Sequence, residues 1–360
     1  MSKENILNQM LKISKSILKA KDNLGKTIDY HREEVLDEGV KLLKKDSSMN
    51  LTTFGVKNTD QICRSMVDRL VEAGYLFHTI DKMADGGRAI DVDIINPLTA
   101  RSMTGSTSGG CVNILLGIND FALGTDGGGS VLAPAISTAL YSIMGKGLGL
   151  KGSKARLSTD DITFLPGIGV ISHDYGLCVD VIEKMVDIPL LDGLKGRGFK
   201  IAIPKEKMES KGIKKLMNHL KDLVEFVEAD FSDMHTRESL IADCKQVFDK
   251  GVDLIITEEG PIDLYGLGDS VLGSWGEVGK KIQVSSGKGF LKVANMINAT
   301  AVTIPTGELG MGILIMGKEG IEAGSLAIGL GDIIKDLFSL PQLFRRYFID
   351  NYKREKGGFI

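Results

Sequence analysis

The sequence predicts an α/β fold: one compact domain with a central mixed or largely parallel β-sheet, covered by helices on both faces. Three observations predict it. Short β-prone runs alternate with segments of helical periodicity, the pattern that builds a sheet with helices packed against it. The chain has 360 residues, 43% hydrophobic and 25% charged, so it has the length and apolar content for a large core. No internal repeat and no long polar linker divides it, although the lysine-rich stretch 194–215 could border a subregion.

The first element is a helix. Ile6, Met10, Ile13 and Ile17, flanked by Leu7, Leu11 and Leu18, recur at helical spacing. Such a stripe packs on the body or on another copy of the chain, which leaves a homodimer open. A second helix is expected over residues 60–77, where Ile62, Met66, Leu70 and Val71 share a face and Gly74 supplies the stop, with the strand "YLFHTI" following. Further strands are read at "FKIAIP" (199–204), "DLIITEE" (253–259), "TAVTIPTG" (300–307) and "GILIMG" (312–317). "KLMNHLKDLVEFV" and the series Leu326, Leu330, Ile333, Ile334, Leu337 read as helices between and after them.

Composition removes several function classes. A formal net charge of −3 gives no basic excess for nucleic acid or an anionic membrane. Cys63, Cys111, Cys178 and Cys244 lie far apart without zinc spacing, and five scattered histidines form no i, i+4 pair, so neither a metal nor a disulfide framework is expected. The N-terminus mixes lysines into its apolar stripe and does not read as a signal peptide. No 18-residue apolar run exists, which leads to the expectation of a soluble cytoplasmic protein.

The most informative stretch is "MTGSTSGGCVNILLGINDFALGTDGGGSVLAP" (103–134), with two clusters of glycines and hydroxyls around one apolar segment. Glycine inside regular structure costs roughly 0.5–1 kcal/mol relative to alanine, so such clusters mark unusual backbone angles, close approach, or exposed amides. A nucleotide loop does not fit, because neither cluster carries GxxxxGK[ST] or a placed GxGxxG. "GILIMGKE" has P-loop spacing but ends in Glu319, which cannot replace a magnesium-binding hydroxyl, and "GKGLGLKG" (145–152) carries no specific signal. No cofactor is expected. An oxyanion hole fits better: Gly127, Gly128, Gly129 and Ser130 place a hydroxyl beside several N–H groups. No histidine stands in a recognisable relation to Ser130, so the base is sought among lysines.

These residues resemble the amidase signature family, whose members hydrolyse carboxamides with a serine, a second serine in a cis peptide, and a lysine. "FALGTDGGGSVLAP" is similar to the family's Leu-Gly-Thr-Asp-x-Gly-Gly-Ser-Ile-Arg-x-Pro, and "NPLTARSMTGSTSGG" to its Gly-Gly-Ser-Ser-Gly-Gly region. "EGVKLLKKDSSMNLTTFG" is similar to Gly-Ile-Pro-x-x-x-Lys-Asp; Gly39 precedes Lys45 by six and Asp46 follows. "GLGLKGSKARLS" and "MINATAVTIPTG" resemble later family segments, so the likeness spans about residues 30 to 335. The chain departs from the pattern at Thr107 for the cis serine, Leu132 for an arginine and Gly152 for a proline, and a shorter middle region is expected.

The resemblance implies an amidase-signature-like catalytic domain at 29–340, preceded by a helix at 1–28 and followed by a tail at 341–360. It implies Ser130 as nucleophile, Thr107 as proton relay and Lys45 as base. The backbone of Gly127 to Ser130 would hold the oxyanion, Ser106 and Ser108 would be supporting hydroxyls, and Asp126 would tie down the glycine loop. The implied substrate is a small-molecule or carrier-linked amide. A non-catalytic amidase-like binding protein or subunit, and an acyltransferase using the same serine, are the competing functions.

Overall fold

The computed structural model describes residues 3–186, 189–190, 198–231 and 236–350. Part of the lysine-rich stretch (194–197) and the end of the expected tail (351–360) lie outside the described residues. Strands in chain order are β1 (Ile28–His31), β2 (Thr53–Lys57), β3 (Leu76–Asp81), the short pair β4 (Ile90–Ile95) and β5 (Ser102–Thr104), and β6 (Phe121–Asp126). They continue as β7 (Tyr141–Met144), the short pair β8 (Arg156–Leu157) and β9 (Thr163–Phe164), β10 (Gly167–Ser172), β11 (Phe199–Pro204), β12 (Val224–Ala229), β13 (Leu254–Glu259), β14 (Thr300–Pro305) and β15 (Gly312–Gly317). The principal helices are α1 (Lys3–Asp22), α2 (Val35–Lys45), α3 (Arg64–Glu72), α4 (Ser108–Leu115), α5 (Leu132–Ser137), α6 (Tyr175–Val186), α7 (Lys211–Leu220), α8 (Arg237–Asp249), α9 (Ser270–Gly273), α10 (Gly276–Val284) and α11 (Ile321–Ile334).

Eleven strands form one sheet in the order β1-β3-β2-β6-β10-β7-β14-β15-β13-β11-β12. The sheet is mixed: β3-β2-β6 and β13-β11-β12 are parallel runs, and the centre from β6 to β13 is antiparallel. The two-residue alternation of strands explains helices on both faces. In β15, Ile313 and Ile315 join the cluster containing α6, α7 and α11, while Leu314 and Met316 join the cluster containing α5 and α8. Both faces are covered, so central strands read as continuous apolar runs.

The N-terminal stripe packs on the body of its own chain. Ile13 is fully buried with Val35, Leu43, Leu51 and Leu76, a burial that contributes about 1.5–3 kcal/mol per side chain of this size. Leu7, Leu11 and Leu18 are exposed on the opposite side. One element differs from the sequence reading. "KLMNHLKDLVEFV" is helical only through Leu220, after which Val224 begins an edge strand. Its Val-Glu-Phe-Val alternation pairs with β11, and strand pairing overrides helical propensity there. "GILIMG" is the buried strand β15, with Gly312 and Gly317 both in the ladder, and so forms no phosphate loop.

Candidate active site

The site lies where β2 and β6 end. These strands run parallel and are neighbours, so their carboxyl ends fall on one edge of the sheet, where open α/β sheets place ligands. Lys57 is the last residue of β2, and Thr125 and Asp126 close β6. Two loops leading into buried helices meet this edge: Gly105-Ser106-Thr107 before α4, and Gly127 to Val131 before α5.

Lys57 is buried, and its Nζ lies 2.7 Å from Ser106 Oγ, 3.0 Å from Thr125 Oγ1 and 3.2 Å from the Thr125 carbonyl. Removal from water lowers its pKa to about 7, with Asp126 opposing the shift. The Gly105–Ser106 peptide is cis. The serine in the cis peptide is therefore Ser106, where the sequence reading places Thr107.

Thr107 has a different environment. Its backbone N–H donates to the Ser130 carbonyl at 3.2 Å, tying the two loops together. Its Oγ1 is buried and has no partner among the described residues. The side chain packs over Gly124 in β6, where any Cβ would come within 2.6 Å of Thr107 Oγ1 and 2.7 Å of its Cγ2. Thr107 thus fills space on the sheet face instead of meeting the lysine. Ser108 also points away from Lys57, donating to Asp91 at 2.5 Å.

Lys45 is a correction to the sequence reading. It is exposed at the end of α2, whose Val35, Gly39 and Leu43 face the core at four-residue spacing. That periodicity turns Lys41, Lys44 and Lys45 toward solvent. The lysine that meets the glycine clusters is Lys57. A signal for it exists in the sequence: "LTTFGVKN" is a β-prone run ending on a lysine, and a lysine closing an otherwise buried strand requires a polar partner.

Asp126 is fully buried and accepts hydrogen bonds from the backbone N–H groups of Gly129 (2.7 Å), Val131 (2.7 Å) and Leu132 (3.3 Å). Burial pushes its carboxyl pKa up, while these donors and Lys57 favour the charged form. The bonds fold the loop back over the strand end, with Gly129 at φ +98°, a conformation that favours glycine. Leu132, where the resemblance leads one to expect arginine, is fully buried and apolar, and the backbone supplies the donors to Asp126 instead.

The same bonds alter the expected oxyanion hole. The Gly129 N–H is committed to Asp126, whereas those of Gly127, Gly128 and Ser130 have no acceptor among the described residues. Ser130 is partly exposed, and its hydroxyl has no hydrogen bond among the described residues. Asn295 Nδ2 contacts the Gly127 carbonyl at 3.5 Å, and buried Lys146 donates to the Asn295 carbonyl at 2.8 Å. A cleft of about 590 Å³ opens at Gly128, walled by residues of the 160 region, the start of α8 and the segment from Gln283 to Lys292.

No family sequence model matches the chain, and no curated protein matches it significantly. Solved structures do. The chain is similar to an amidase with a TM-score of 0.62 at 17% identity, over 92% of this chain and 96% of the other. It is similar to a component of the glutamyl-tRNA(Gln) amidotransferase from Thermotoga maritima with a TM-score of 0.64 at 14% identity, over 95% of both chains. The peptide amidase from Stenotrophomonas maltophilia aligns with a TM-score of 0.58 at 14% identity, over 90% of this chain and 93% of that one. At these identities the likeness is one of architecture: the chain has an amidase-signature-like fold.

Proposed function

We propose that this protein hydrolyses a carboxamide C–N bond through an acyl-serine, with Ser130 as nucleophile, Ser106 as relay and Lys57 as base. The observation that carries this reading is the buried 2.7 Å contact between Lys57 Nζ and Ser106 Oγ at the edge where the two glycine loops meet. Lys57 Nζ has three polar neighbours, Ser106 Oγ and the two Thr125 oxygens; in the neutral amine of this reading two N–H groups serve Thr125, which leaves the lone pair to accept the Ser106 hydroxyl proton. With a pKa near 7 the neutral form is available at ordinary pH.

The Ser130 hydroxyl attacks the amide carbonyl as its proton passes to Ser106 Oγ and the Ser106 proton passes to Lys57. The uncommitted N–H groups of Gly127, Gly128 and Ser130 meet the negative charge on the tetrahedral carbonyl oxygen. Collapse breaks the C–N bond, and the leaving amine takes a proton along the reverse path. Water then attacks the acyl-serine with Ser106 and Lys57 again accepting its proton, which releases the acid. The substrate is a small-molecule or carrier-linked amide entering by the cleft at Gly128. Similarity of fold to amidases and to an amidotransferase component supports amide chemistry as the reaction class.

A fluorophosphonate probe tests the nucleophile. Wild type should be labelled on Ser130, and Ser130→Ala should not be labelled. A folded wild type that resists both the probe and activated esters would overturn the reading in favour of a binding protein.

A further inference from the structure

The segment that runs from Phe290 into β14 lies along the glycine loop and follows it residue by residue. A Cβ on Gly129 would sit 3.3 Å from the Leu291 carbonyl, and one on Gly128 would sit 3.8 Å from the Lys292 carbonyl. At the third glycine the contact is a hydrogen bond, in which Asn295 Nδ2 donates to the Gly127 carbonyl at 3.5 Å. Asn295 is fully buried, and its Oδ1 has no partner among the described residues. An unpaired buried polar atom costs about 1–3 kcal/mol. Reversing the amide would set its oxygen against the Gly127 oxygen, so the donor is the end that the loop accepts.

The backbone of Asn295 is held as well. Lys146, just past the end of β7, is buried, and its Nζ donates to the Asn295 carbonyl at 2.8 Å, its one hydrogen bond among the described residues. Burial lowers the Lys146 pKa to about 8, with Lys151 adding to the shift and Asp126 and Glu319 opposing it. The amine is thus mostly charged at neutral pH, and a charged donor makes the stronger bond. The same carbonyl accepts the Asn298 N–H at 3.2 Å, and the Gly147 N–H donates to the Ala299 carbonyl at 3.2 Å. The end of β7 and the start of β14 are thereby fastened around Asn295.

Peptide geometry connects this fastening to the donors of the site. The Gly127–Gly128 bond is trans, so its C=O and N–H point in opposite directions. Holding the Gly127 carbonyl toward Asn295 turns the Gly128 N–H away from Asn295. Gly128 lines the cleft, and its N–H has no acceptor among the described residues. With glycine on both sides, no Cβ restricts the torsions that flank this peptide, so its orientation depends on what holds the carbonyl.

We propose that Asn295 is a positioning residue for the oxyanion hole: its side-chain amide fixes the Gly127–Gly128 peptide so that the Gly128 N–H faces the reacting carbonyl, and Lys146 anchors Asn295 in turn. This rests on the amidase reading for the reaction it assists. The test compares single-turnover acylation of Ser130 by p-nitrophenyl acetate and by its thiono counterpart, in which sulfur replaces the carbonyl oxygen. Sulfur is larger and a weaker acceptor, so the donors of wild type should favour the oxygen ester. Asn295→Leu removes the side-chain donor at similar volume. It should slow acylation by the oxygen ester roughly 10²–10³-fold, the range for one oxyanion donor, and slow the thiono ester much less, erasing most of the preference. Lys146→Met leaves the amide in place and should lower the same preference roughly tenfold, the effect of one hydrogen bond. A crystal structure of Asn295→Leu should show the Gly127–Gly128 peptide turned or in two orientations. Equal losses with the two esters in folded Asn295→Leu, or a peptide that keeps its orientation there, would overturn the role of Asn295 and leave the amidase reading standing. Should Asn295→Leu fail to fold, Lys146→Met decides, and an unchanged preference in that variant sinks the proposal. A folded wild type that neither ester acylates would instead overturn the amidase reading, and this assignment with it.

Discussion

Lys57 and Ser106 come from different layers of the fold, one ending a central strand and the other preceding a buried helix, yet their side chains meet at 2.7 Å away from solvent. The contact couples a titrating amine to a hydroxyl whose proton has few other destinations.

Turnover should rise with pH through about 7, because the base acts in its neutral form and burial brings the Lys57 pKa to about 7. Lys57→Met should remove this limb and lower single-turnover acylation by roughly 10²–10⁴-fold, the range for a positioned proton-transfer group. Wild-type stability should also rise with pH. A folded-state pKa below the ordinary lysine value means that the stability linked to Lys57 is present above the unfolded pKa and is lost as pH falls through about 7. The Tm advantage of Lys57→Met over wild type should therefore be larger at about pH 6 than at about pH 9. A constant difference across that range would show that Lys57 is not buried as an amine.

Neighbouring hydroxyls should behave oppositely when removed. Ser106→Ala should slow acylation of Ser130 by roughly 10²–10⁴-fold. Thr107→Val should leave acylation within a few-fold of wild type, because Thr107 Oγ1 has no partner among the described residues and its backbone N–H bond to Ser130 survives. Replacing an unsatisfied buried hydroxyl by a methyl of similar shape should also hold or raise Tm. Single-turnover acylation with an activated ester, beside thermal melts, checks both. A large loss in Thr107→Val with normal folding would return the relay to Thr107.

Asp81 supplies a pH signature remote from catalysis. It closes β3 beside β2, with one oxygen accepting from Thr79 Oγ1 (2.6 Å) and Asn113 Nδ2 (2.7 Å) and the other unpartnered among the described residues. Burial raises its pKa to about 7. Because the folded-state value lies above the unfolded one, the linked stability is fully present below about pH 4 and is lost as pH rises through about 7. Asp81→Asn should gain stability relative to wild type between about pH 5 and pH 8, read as a Tm difference that grows with pH. A difference that shrinks would mean that the native carboxyl is charged.

What the sequence alone determined is local. Periodicity placed α1, α3, β3, β11, β13, β14, β15 and α11, because each depends on which residues along one segment are apolar. The 103–134 stretch marked the site, because glycine and hydroxyl clusters record backbone demands within a few residues, and Gly129 at positive φ under Asp126 is one such demand. Tertiary structure decided which lysine and which hydroxyl stand together. Lys45 and Lys57 are both lysines ahead of the first glycine cluster, and separating them requires knowing that α2 turns Lys45 to solvent while parallel pairing of β2 with β6 carries Lys57 to the loop edge. Ser106 and Thr107 are adjacent hydroxyls, and only the turn into α4 aims the first at the amine and packs the second over Gly124. Opposed faces of one short loop have no sequence periodicity, so their assignment depends on what each face touches.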